Sequence, residues 1–281
     1  MNKSLLALFD RAAVERRRFG FTVVRTFDRS PDAESVLDFA RRQRTPGSVA
    51  VGNFFVKHHR PKGWSDWRCG IQHDDACGLL GGNGEAVNTL AANLLGAPSH
   101  KLFAHARNMA SGRTWCVFER LAEMQSLESF IQSAGNSVAA GPLFTQVAAA
   151  LVEGLKCGLF HGDPNASNVF VDGRGRVKLI DYAITVNLSA TVGRGLALQF
   201  SKMWDERLKP IFSYDEFREI VRAQLKLFGN PADLELDFSR FVHYSQTRNN
   251  WARRMERLKE ASGGNPDFSL RLERVLLPAN S

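Results

Sequence analysis

The order of apolar and polar residues predicts strands in the first part of the chain. Each predicted strand is a short run rich in β-branched and aromatic residues, and turn residues such as Gly52-Asn53 and Ser111-Gly112 separate neighbouring runs. Runs of this kind pair with one another and bury one face. The predicted strands cover residues 21–27, 48–51, 54–57, 101–106 and 114–119.

Apolar residues at helical spacing predict helices, most of them in the second half of the chain. A helix that begins at Glu85 has apolar residues three or four positions apart and ends at Gly96, a residue type that is common at helix ends. A longer helix begins at Gly141-Pro142 and leads directly into residue 160. The other predicted helices cover residues 5–18, 32–44, 196–209, 214–228 and 238–258.

A short polar segment follows the longer helix. Asp163 lies in it, and Asn168 comes five positions later. Residues 169–171 and 177–180 predict two strands joined by an Asp-Gly turn, which accepts positive φ. Such a hairpin brings Asp181 beside Asn168. Asp and Asn supply the hard oxygen ligands that Mg²⁺ requires, with phosphates completing the shell, and Asp163 is left to orient a substrate hydroxyl.

The composition narrows the class of protein. Hydrophobic residues make up 44% of the 281 positions and charged residues 23%, which is ordinary for a globular protein. No apolar run approaches the ~20 residues of a membrane-spanning helix, and the short run at residues 5–9 does not fit a secretory signal, so we expect a cytoplasmic protein. The net charge of +8 and the sequence pI of about 9.6 favour polyanionic partners: nucleic acid, an anionic membrane surface or phosphorylated substrates.

The cysteines show neither zinc-binding spacing nor a disulfide framework, and we expect free thiols. They are Cys69, Cys77, Cys116 and Cys157. The first two lie in residues 61–84, a glycine-rich, aromatic segment whose length predicts a functional or mobile loop. For Trp64 and Trp67 in this segment, a place in a buried core and a place in a functional loop are equally favoured.

The polar hairpin resembles the catalytic centre of the protein-kinase-like phosphotransferase fold. That fold has a catalytic-loop Asp, an Asn five positions later and a metal-binding Asp after a strand, and Asp163, Asn168 and Asp181 match these positions. The resemblance implies that Asp163 is catalytic and that Asn168 and Asp181 bind Mg²⁺. It also implies that Lys57 is the strand lysine that binds phosphates and that Glu85, in the next helix, is its partner.

The same resemblance implies an α+β, two-lobed fold, with a small β-rich N-lobe over residues 1–120 and a mostly helical C-lobe over residues 121–281. ATP is expected between the lobes, where the backbone of a connector containing Glu119 and Leu121 would contact adenine. The chain is then an ATP-dependent phosphotransferase for an alcohol group, with ATP and Mg²⁺ as cofactors.

Within this fold, the short N-terminal half resembles the bacterial lipopolysaccharide core kinases that phosphorylate heptose or Kdo sugars. The run 54–57 is followed by Pro61-Lys62 and later by an Ala97-Pro98 turn, as in that family, and residues 162–164 are most similar to its heptose kinase branch. This resemblance implies an anionic sugar or glycolipid acceptor. Together with the basic net charge, it leads us to expect peripheral contact with the inner membrane.

Several positions depart from the protein-kinase pattern. No G-x-G-x-x-G loop precedes Lys57, and Ala183 ends the metal motif in place of glycine. Gly162 replaces the usual Arg before the catalytic Asp, and Asn165 replaces the usual Lys two positions after it. The last two changes favour a small-molecule or glycolipid acceptor over a protein.

Each candidate residue also has a structural alternative. Lys57 could be an exposed strand end, and Glu85 could be an acid favoured by the helix dipole. His161 is expected to brace the loop by hydrogen bonds rather than to transfer protons. The carboxylates that compete with Glu85 for Lys57 are Asp74, Asp75 and Glu34.

Other functions remain open. An aminoglycoside-type or other small-metabolite phosphotransferase needs an acidic pocket, whereas the C-terminal half is rich in arginine. A catalytically inactive kinase-like binding protein or effector would explain the missing glycine-rich loop but not the retained site residues. Nucleic-acid binding has no recognised motif here. The arginines form either a solvated face or a surface for an anionic acceptor, and they are Arg218, Arg222, Arg248, Arg253, Arg254, Arg257, Arg271 and Arg274.

Overall fold

The computed structural model describes residues 9–60, 82–134, 140–247 and 250–264. Most of the aromatic segment 61–84, with Trp64, Trp67, Cys69 and Cys77, therefore lies outside the described residues. The described part consists of a six-stranded sheet and a group of helices around a short polar hairpin.

The sheet is antiparallel throughout and contains the strands that the sequence predicts, with one more at its edge. The strands are β1 (Glu15–Phe19), β2 (Thr22–Thr26), β3 (Gly47–Val51), β4 (Phe54–His59), β5 (Leu102–Asn108) and β6 (Thr114–Glu119). Their order across the sheet is β1-β2-β5-β6-β4-β3. Strand β4, which carries Lys57, is thus an inner strand between β6 and β3.

Two helices cover opposite faces of this sheet. Helix α1 (Ala33–Arg42) begins after Asp32, whose side chain caps it by accepting a hydrogen bond from the Ser35 amide at 2.8 Å. It packs on the face that contains Val56. Side chains alternate along a strand, so Lys57 points to the other face, which is covered by α2 (Gly82–Leu94).

Helix α2 joins the sheet to the helical part of the protein. Its residues Ala86 and Leu90 pack against Leu102 and Phe118 of the sheet. Ala91 and Ala92, on a different side of the same helix, belong to the large core formed by the later helices. A displacement of α2 would therefore disturb both cores.

The second half of the chain surrounds a polar hairpin with helices. Its helices are α3 (Leu127–Ala134), α4 (Ala140–Lys156), α5 (Val192–Met203), α6 (Tyr214–Leu225), α7 (Pro231–Thr247) and α8 (Asn250–Ser262). Its short strands are β7 (Gln125–Ser126), β8 (Leu159–His161), β9 (Val169–Val171), β10 (Val177–Leu179) and β11 (Thr185–Asn187). The predicted hairpin is formed by β9 and β10, with Val177 opposite Val171, and β8 pairs with β11.

This order of elements confirms the α+β class and the protein-kinase-like fold that the sequence implied. The boundary between two lobes at residues 120 and 121 stays a prediction. Within the described ranges, none of the helices combines the length and the apolar character needed to span a bilayer.

Three parts of the chain differ from the sequence prediction. Residues 15–19 form β1 rather than the end of a helix, because Gly20 at φ 59° permits a tight turn into β2 and the charged side chains of an edge strand stay in solvent. The three-residue strand β11 is too short to give a periodic signal. The single helix predicted over residues 238–258 is two helices, α7 and α8, and α7 starts early because proline suits a first helical turn.

Candidate active site

Lys57 of β4 and Glu85 in the first turn of α2 form an ion pair. The Nζ atom of Lys57 lies 2.9 Å from Oε1 and 2.8 Å from Oε2 of Glu85. The glutamate side chain is 1% exposed, whereas that of the lysine is 24% exposed, so the buried acid fixes an amine that solvent still reaches. This geometry excludes an exposed strand end for Lys57. Among the competing carboxylates, Glu34 pairs with Arg17, while Asp74 and Asp75 lie outside the described residues.

The charges of this pair are set by their surroundings. The Nε2 atom of His59 lies 2.9 Å from Oε2 of Glu85. Burial alone would raise the pKa of Glu85, but its hydrogen bond with His59 and the charge of Lys57 outweigh burial and lower that pKa to about 2. Burial also opposes the charge of Lys57, yet Glu85 and Asp181 together raise the lysine pKa above its usual value. Both groups are therefore charged at neutral pH.

Asp181 approaches Lys57 from the end of the β9–β10 hairpin, with its Oδ1 atom 3.4 Å from Nζ. Its backbone has a φ of 59°, a left-handed conformation that Asp tolerates better than most side chains do. Asn88, one turn after Glu85 in α2, donates from Nδ2 to the carbonyl oxygen of Tyr182 at 2.9 Å. Helix α2 thus holds both the lysine and the backbone beside Asp181.

His161 braces the loop that carries Asp163. Its Nδ1 atom accepts a hydrogen bond from the Asp163 amide at 3.2 Å, and its Nε2 atom lies 2.9 Å from the carbonyl oxygen of Ile180. A neutral ring protonated on Nε2 satisfies both contacts. Burial lowers the pKa of His161, which favours that neutral ring. These contacts are those of a brace rather than of a proton shuttle.

Asn168 closes the same loop and keeps one oxygen for a ligand. Its side-chain Nδ2 atom donates to the backbone carbonyl oxygen of Asp163 at 2.9 Å. The backbone carbonyl oxygen of Asn168 accepts a hydrogen bond from the Ile180 amide at 2.9 Å. Because the side-chain nitrogen is used within the loop, the Oδ1 atom is the side-chain atom that can coordinate a cation.

The oxygen donors of Asn168 and Asp181 fit a hard divalent cation such as Mg²⁺. In the part of the chain that the structure describes, no three His, Cys, Asp or Glu residues gather as a metal site. A cation held by these two side chains would therefore take the rest of its shell from water and phosphate oxygens, as the sequence predicts.

Asp163 contacts two cations from distant helices. The Nζ atom of Lys202, in α5, lies 2.9 Å from its Oδ1 atom, and the Nη2 atom of Arg254, in α8, lies 3.3 Å from its Oδ2 atom. Burial opposes the negative charge, but Lys202 and then Arg254 outweigh it, and the pKa of Asp163 is lowered. The carboxylate side chain is 19% exposed and so remains accessible to a substrate.

Gly162 allows α8 to pack directly on the loop that carries Asp163. A Cβ atom at this position would lie 2.7 Å from Cγ2 and 2.9 Å from the carbonyl oxygen of Ile184, and 2.9 Å from Cδ2 of Leu258. Such distances are too short for non-bonded atoms in a packed interior. The glycine is therefore required by packing, in addition to being a departure from the protein-kinase pattern.

The predicted adenine connector follows β6 and is tied to both halves of the protein. The carboxylate of Glu119 accepts hydrogen bonds from Nζ of Lys178 at 2.5 Å and from the Lys101 amide at 3.2 Å. The carbonyl oxygen of Leu121 accepts from the Met124 amide at 3.1 Å. These bonds fix the position of the connector, and its contact with adenine stays a prediction.

The sheet edge beside Lys57 has no glycine-rich cover among the described residues. Strand β3 is the edge strand, and residues 47–50 are exposed. The extra strands β1 and β2 lie at the opposite edge. Phosphate binding here would therefore depend on Lys57 and the metal ligands rather than on the backbone amides of such a loop.

Most of the described arginines in the C-terminal group have structural partners. Arg218 and Arg222 pair with Glu235 of α7. Arg257 is buried, and it donates to Oγ of Ser201 at 3.0 Å. Within this group and among the side chains that the structure describes, Arg254 is the one that contacts Asp163. The side chains outside the described part are those of Arg248, Arg253, Arg271 and Arg274.

Sequence patterns do not single out His59, Asn88 or Lys202 as members of the site, and they offer Arg254 only as one of the eight arginines that form either a solvated face or a surface for an anionic acceptor. His59 lies two positions after Lys57 on the same strand face, and Asn88 lies three positions after Glu85 on the same helix face, so periodicity could have found both. Lys202 and Arg254 are brought in by helices far along the chain, and no local spacing marks them.

No protein-family model matches the chain, and no curated protein matches it. Among solved structures, it is similar to a crystal structure of WbdD, with 16% identity and a TM-score of 0.40 over 72% of this chain and 49% of that one. A complex of WbdD with a kinase inhibitor is 16% identical, with a TM-score of 0.42 over 73% of this chain and 48% of that one. A structure described as the bifunctional kinase-methyltransferase WbdD is 15% identical, with a TM-score of 0.41 over 81% of this chain and 54% of that one. The chain spans about half the length of the chains it matches. The fold assignment above rests on topology and side-chain contacts.

Proposed function

We propose that this protein is an ATP-dependent phosphotransferase that transfers the γ-phosphoryl group to a sugar hydroxyl, most specifically one of the lipopolysaccharide core. The observation that carries the proposal is the meeting of Lys57, Glu85 and Asp181, from three separate elements, in one ion-paired cluster. Beside it, Asn168 offers a second metal ligand and Asp163 offers an accessible carboxylate. This set of groups suits phosphoryl transfer.

The roles follow from the positions of these groups. Lys57, held in its charged form by Glu85, binds phosphate oxygens. Mg²⁺ held by Asn168 and Asp181 would neutralise charge on the phosphates. Asp163 orients the acceptor hydroxyl and takes up its proton as the hydroxyl oxygen bonds to the γ-phosphorus and the bond from that phosphorus to the departing ADP breaks. Positioning and charge neutralisation would supply most of the catalysis.

A sugar acceptor is favoured by the residues around the catalytic loop. Gly162 and Asn165 stand where protein kinases carry an Arg and a Lys, which argues against a protein acceptor. The net charge of +8 suits an acceptor with phosphate or carboxylate groups and peripheral contact with an anionic membrane surface. It argues against the cationic acceptors of aminoglycoside-type enzymes.

The proposal is tested by transfer of ³²P from ATP to a panel of core oligosaccharides, aminoglycosides and generic proteins. We expect Mg²⁺-dependent labelling of core oligosaccharide alone, and its loss in Lys57→Met. Labelling of aminoglycosides in place of oligosaccharide would contradict the sugar assignment. Absence of ATP turnover with every acceptor would contradict the phosphotransferase assignment.

A catalytically inactive kinase-like binding protein is the second candidate. The observation that favours it is the bare edge strand β3, which leaves the phosphates without a glycine-rich cover in the described residues. An inactive protein would show at most a thermal shift with Mg·ATP and no turnover. Turnover with any hydroxyl acceptor would exclude it.

A further inference from the structure

Two cations meet at Asp163 and carry more charge than this carboxylate neutralises. Lys202 contacts its Oδ1 atom and Arg254 its Oδ2 atom. Among the described residues, neither cation has another ion-pair partner. An isolated structural ion pair needs only one cation. The second cation leaves the cluster with a net positive charge, which a further anion would neutralise.

The two cations are held in place by packed helices. In α5, the Nε2 atom of Gln199 lies 3.5 Å from the carbonyl oxygen of His161, which sets Lys202 one turn further along the helix beside the loop. In α8, buried Arg257 donates to Oγ of Ser201 at 3.0 Å and so joins the two helices one turn away from Arg254. The packed helices thus fix the backbone positions from which both cations reach Asp163.

If Asp163 orients the acceptor as proposed, this pair lies on the acceptor side of the loop. The phosphate side is marked by Lys57, which contacts Glu85 and Asp181, whereas Lys202 and Arg254 contact Asp163. The side chains of both cations remain accessible, at 22% and 27% exposed. A ligand that reaches Asp163 therefore also reaches both positive charges.

We propose that Lys202 and Arg254 form a binding site for an anionic group, a phosphate or a carboxylate, that the acceptor carries near its reacting hydroxyl. The inference rests on the proposed function and adds the residues that recognise the anionic group of the acceptor. Without acceptor, both cations bind Asp163. When the acceptor binds, its anion takes over these contacts and leaves the carboxylate to the hydroxyl.

The site is tested without turnover by titrating inorganic phosphate in the absence of nucleotide, followed by calorimetry. We expect Lys202→Gln and Arg254→Gln each to weaken phosphate binding about tenfold, because each removes a charge-assisted contact. Asp163→Asn should tighten it, because the competing carboxylate is gone. Each variant is also titrated in the Lys57→Met background, so that the proposed nucleotide-phosphate site does not contribute to the measured binding.

Two matched variants control for the loss of a surface cation. Lys209 pairs with Glu206, and Arg240 pairs with Glu260, both away from Asp163. Lys209→Gln and Arg240→Gln should leave phosphate binding unchanged. Unaltered binding in Lys202→Gln and Arg254→Gln, or no binding even in Asp163→Asn, would overturn the inference.

Kinetics with three forms of core oligosaccharide decide whether the recognised group is a phosphate or a carboxylate. The three forms are intact, dephosphorylated and carboxyl-reduced. We expect KM to rise about tenfold when the recognised group is removed, with a matching rise for the intact acceptor in Lys202→Gln and Arg254→Gln. Equal KM values for all three forms would overturn the inference. Failure of all three to accept phosphate would contradict the proposed function, and the phosphate titration would still decide the cation site.

Discussion

At the scale of single residues, the site depends on buried charges that partners hold in place. Glu85 is almost fully buried and stays ionised because His59 and Lys57 contact the same carboxylate. Its charge in turn fixes Lys57 at the distance where the amine also meets Asp181. The protonation of one carboxyl group therefore controls the position of the proposed phosphate-binding lysine.

The depressed pKa of Glu85 predicts a specific pH dependence of stability. The pKa is about 2 in the folded protein against an ordinary value of 4.5 for glutamate, so the stabilisation is present above pH 4.5 and is lost as pH falls toward 2. We expect the stability difference between wild type and Glu85→Gln to shrink by on the order of 3 kcal/mol over that range, measured by urea unfolding.

The matched control for this titration is Glu219→Gln, because Glu219 is exposed and pairs with Arg222 at the surface. Its stability difference from wild type should change little over the same pH range. A constant difference between wild type and Glu85→Gln would show that Glu85 is not a charged buried partner of Lys57.

At this scale, the sequence reveals the candidate site residues that lie close to one another along the chain. Asp163, Asn168 and Asp181 are recognisable because their spacing follows from one loop and one hairpin. The pairing of Lys57 with Glu85, implied by the resemblance, is present in the structure. Their roles toward ATP and Mg²⁺ stay predictions.

The two cations at Asp163 could not be found in this way. Arg254 lies 91 positions from Asp163, and only the packing of α5 and α8 brings the cations to the loop. Long-range packing of this kind leaves no periodic signal in the sequence.

At the scale of elements, the loop that carries Asp163 is positioned by direct contact with α8. The backbone at Gly162 is so close to Ile184 and Leu258 that a methyl group has no room. The same contact places the N-terminal half of α8, and with it Arg254, beside Asp163.

This close approach predicts the effect of one added methyl group. Gly162→Ala should lower stability by about 1–3 kcal/mol, because the new Cβ would overlap a backbone oxygen that cannot move alone, and it should reduce phosphoryl transfer. The measurements are urea unfolding and ³²P transfer.

Gly173→Ala is the matched control in the neighbouring turn, where a Cβ would meet nothing within 4 Å. It should leave both stability and transfer close to those of the wild type. Equal behaviour of the two variants would mean that α8 does not pack on the loop as described.

The sequence predicts long periodic elements better than short ones. The strand ending at Lys57 and the helix before the loop have clear patterns, and both are present. Strand β1 is mistaken for helix because the charged residues Arg16, Arg17 and Arg18 give no alternation. Strand β11 forms only because β8 provides a partner, which no local pattern reveals.

At the scale of the whole molecule, helix α2 links the sheet to the helical part. It carries Glu85 toward Lys57 on the sheet and Asn88 toward the Tyr182 carbonyl beside Asp181. The proposed phosphate-binding lysine and the proposed metal-binding carboxylate are thus both positioned by contacts with one helix. We infer that nucleotide binding depends on this link.

This role of α2 predicts that the Asn88→Ala variant binds nucleotide more weakly than the wild type. We expect its affinity for Mg·ATP, measured by calorimetry, to fall about tenfold, because the backbone beside Asp181 loses the bond that fixes it. Asn93→Ala is the control in the same helix, since Asn93 bonds to Ser99 and His100 instead. It should lower stability but leave the affinity for Mg·ATP unchanged, and equal affinities in all three proteins would contradict the link.

The central claim is that Asp163 carries phosphoryl transfer, and the most direct test is the rate of ³²P transfer from Mg·ATP to core oligosaccharide in Asp163→Ala. Asp215→Asn, at an exposed position in the first turn of α6, serves as the control. The account predicts a loss of about a thousandfold in Asp163→Ala, with the protein still folded, and a rate near that of the wild type in Asp215→Asn. Full transfer by a folded Asp163→Ala would contradict it.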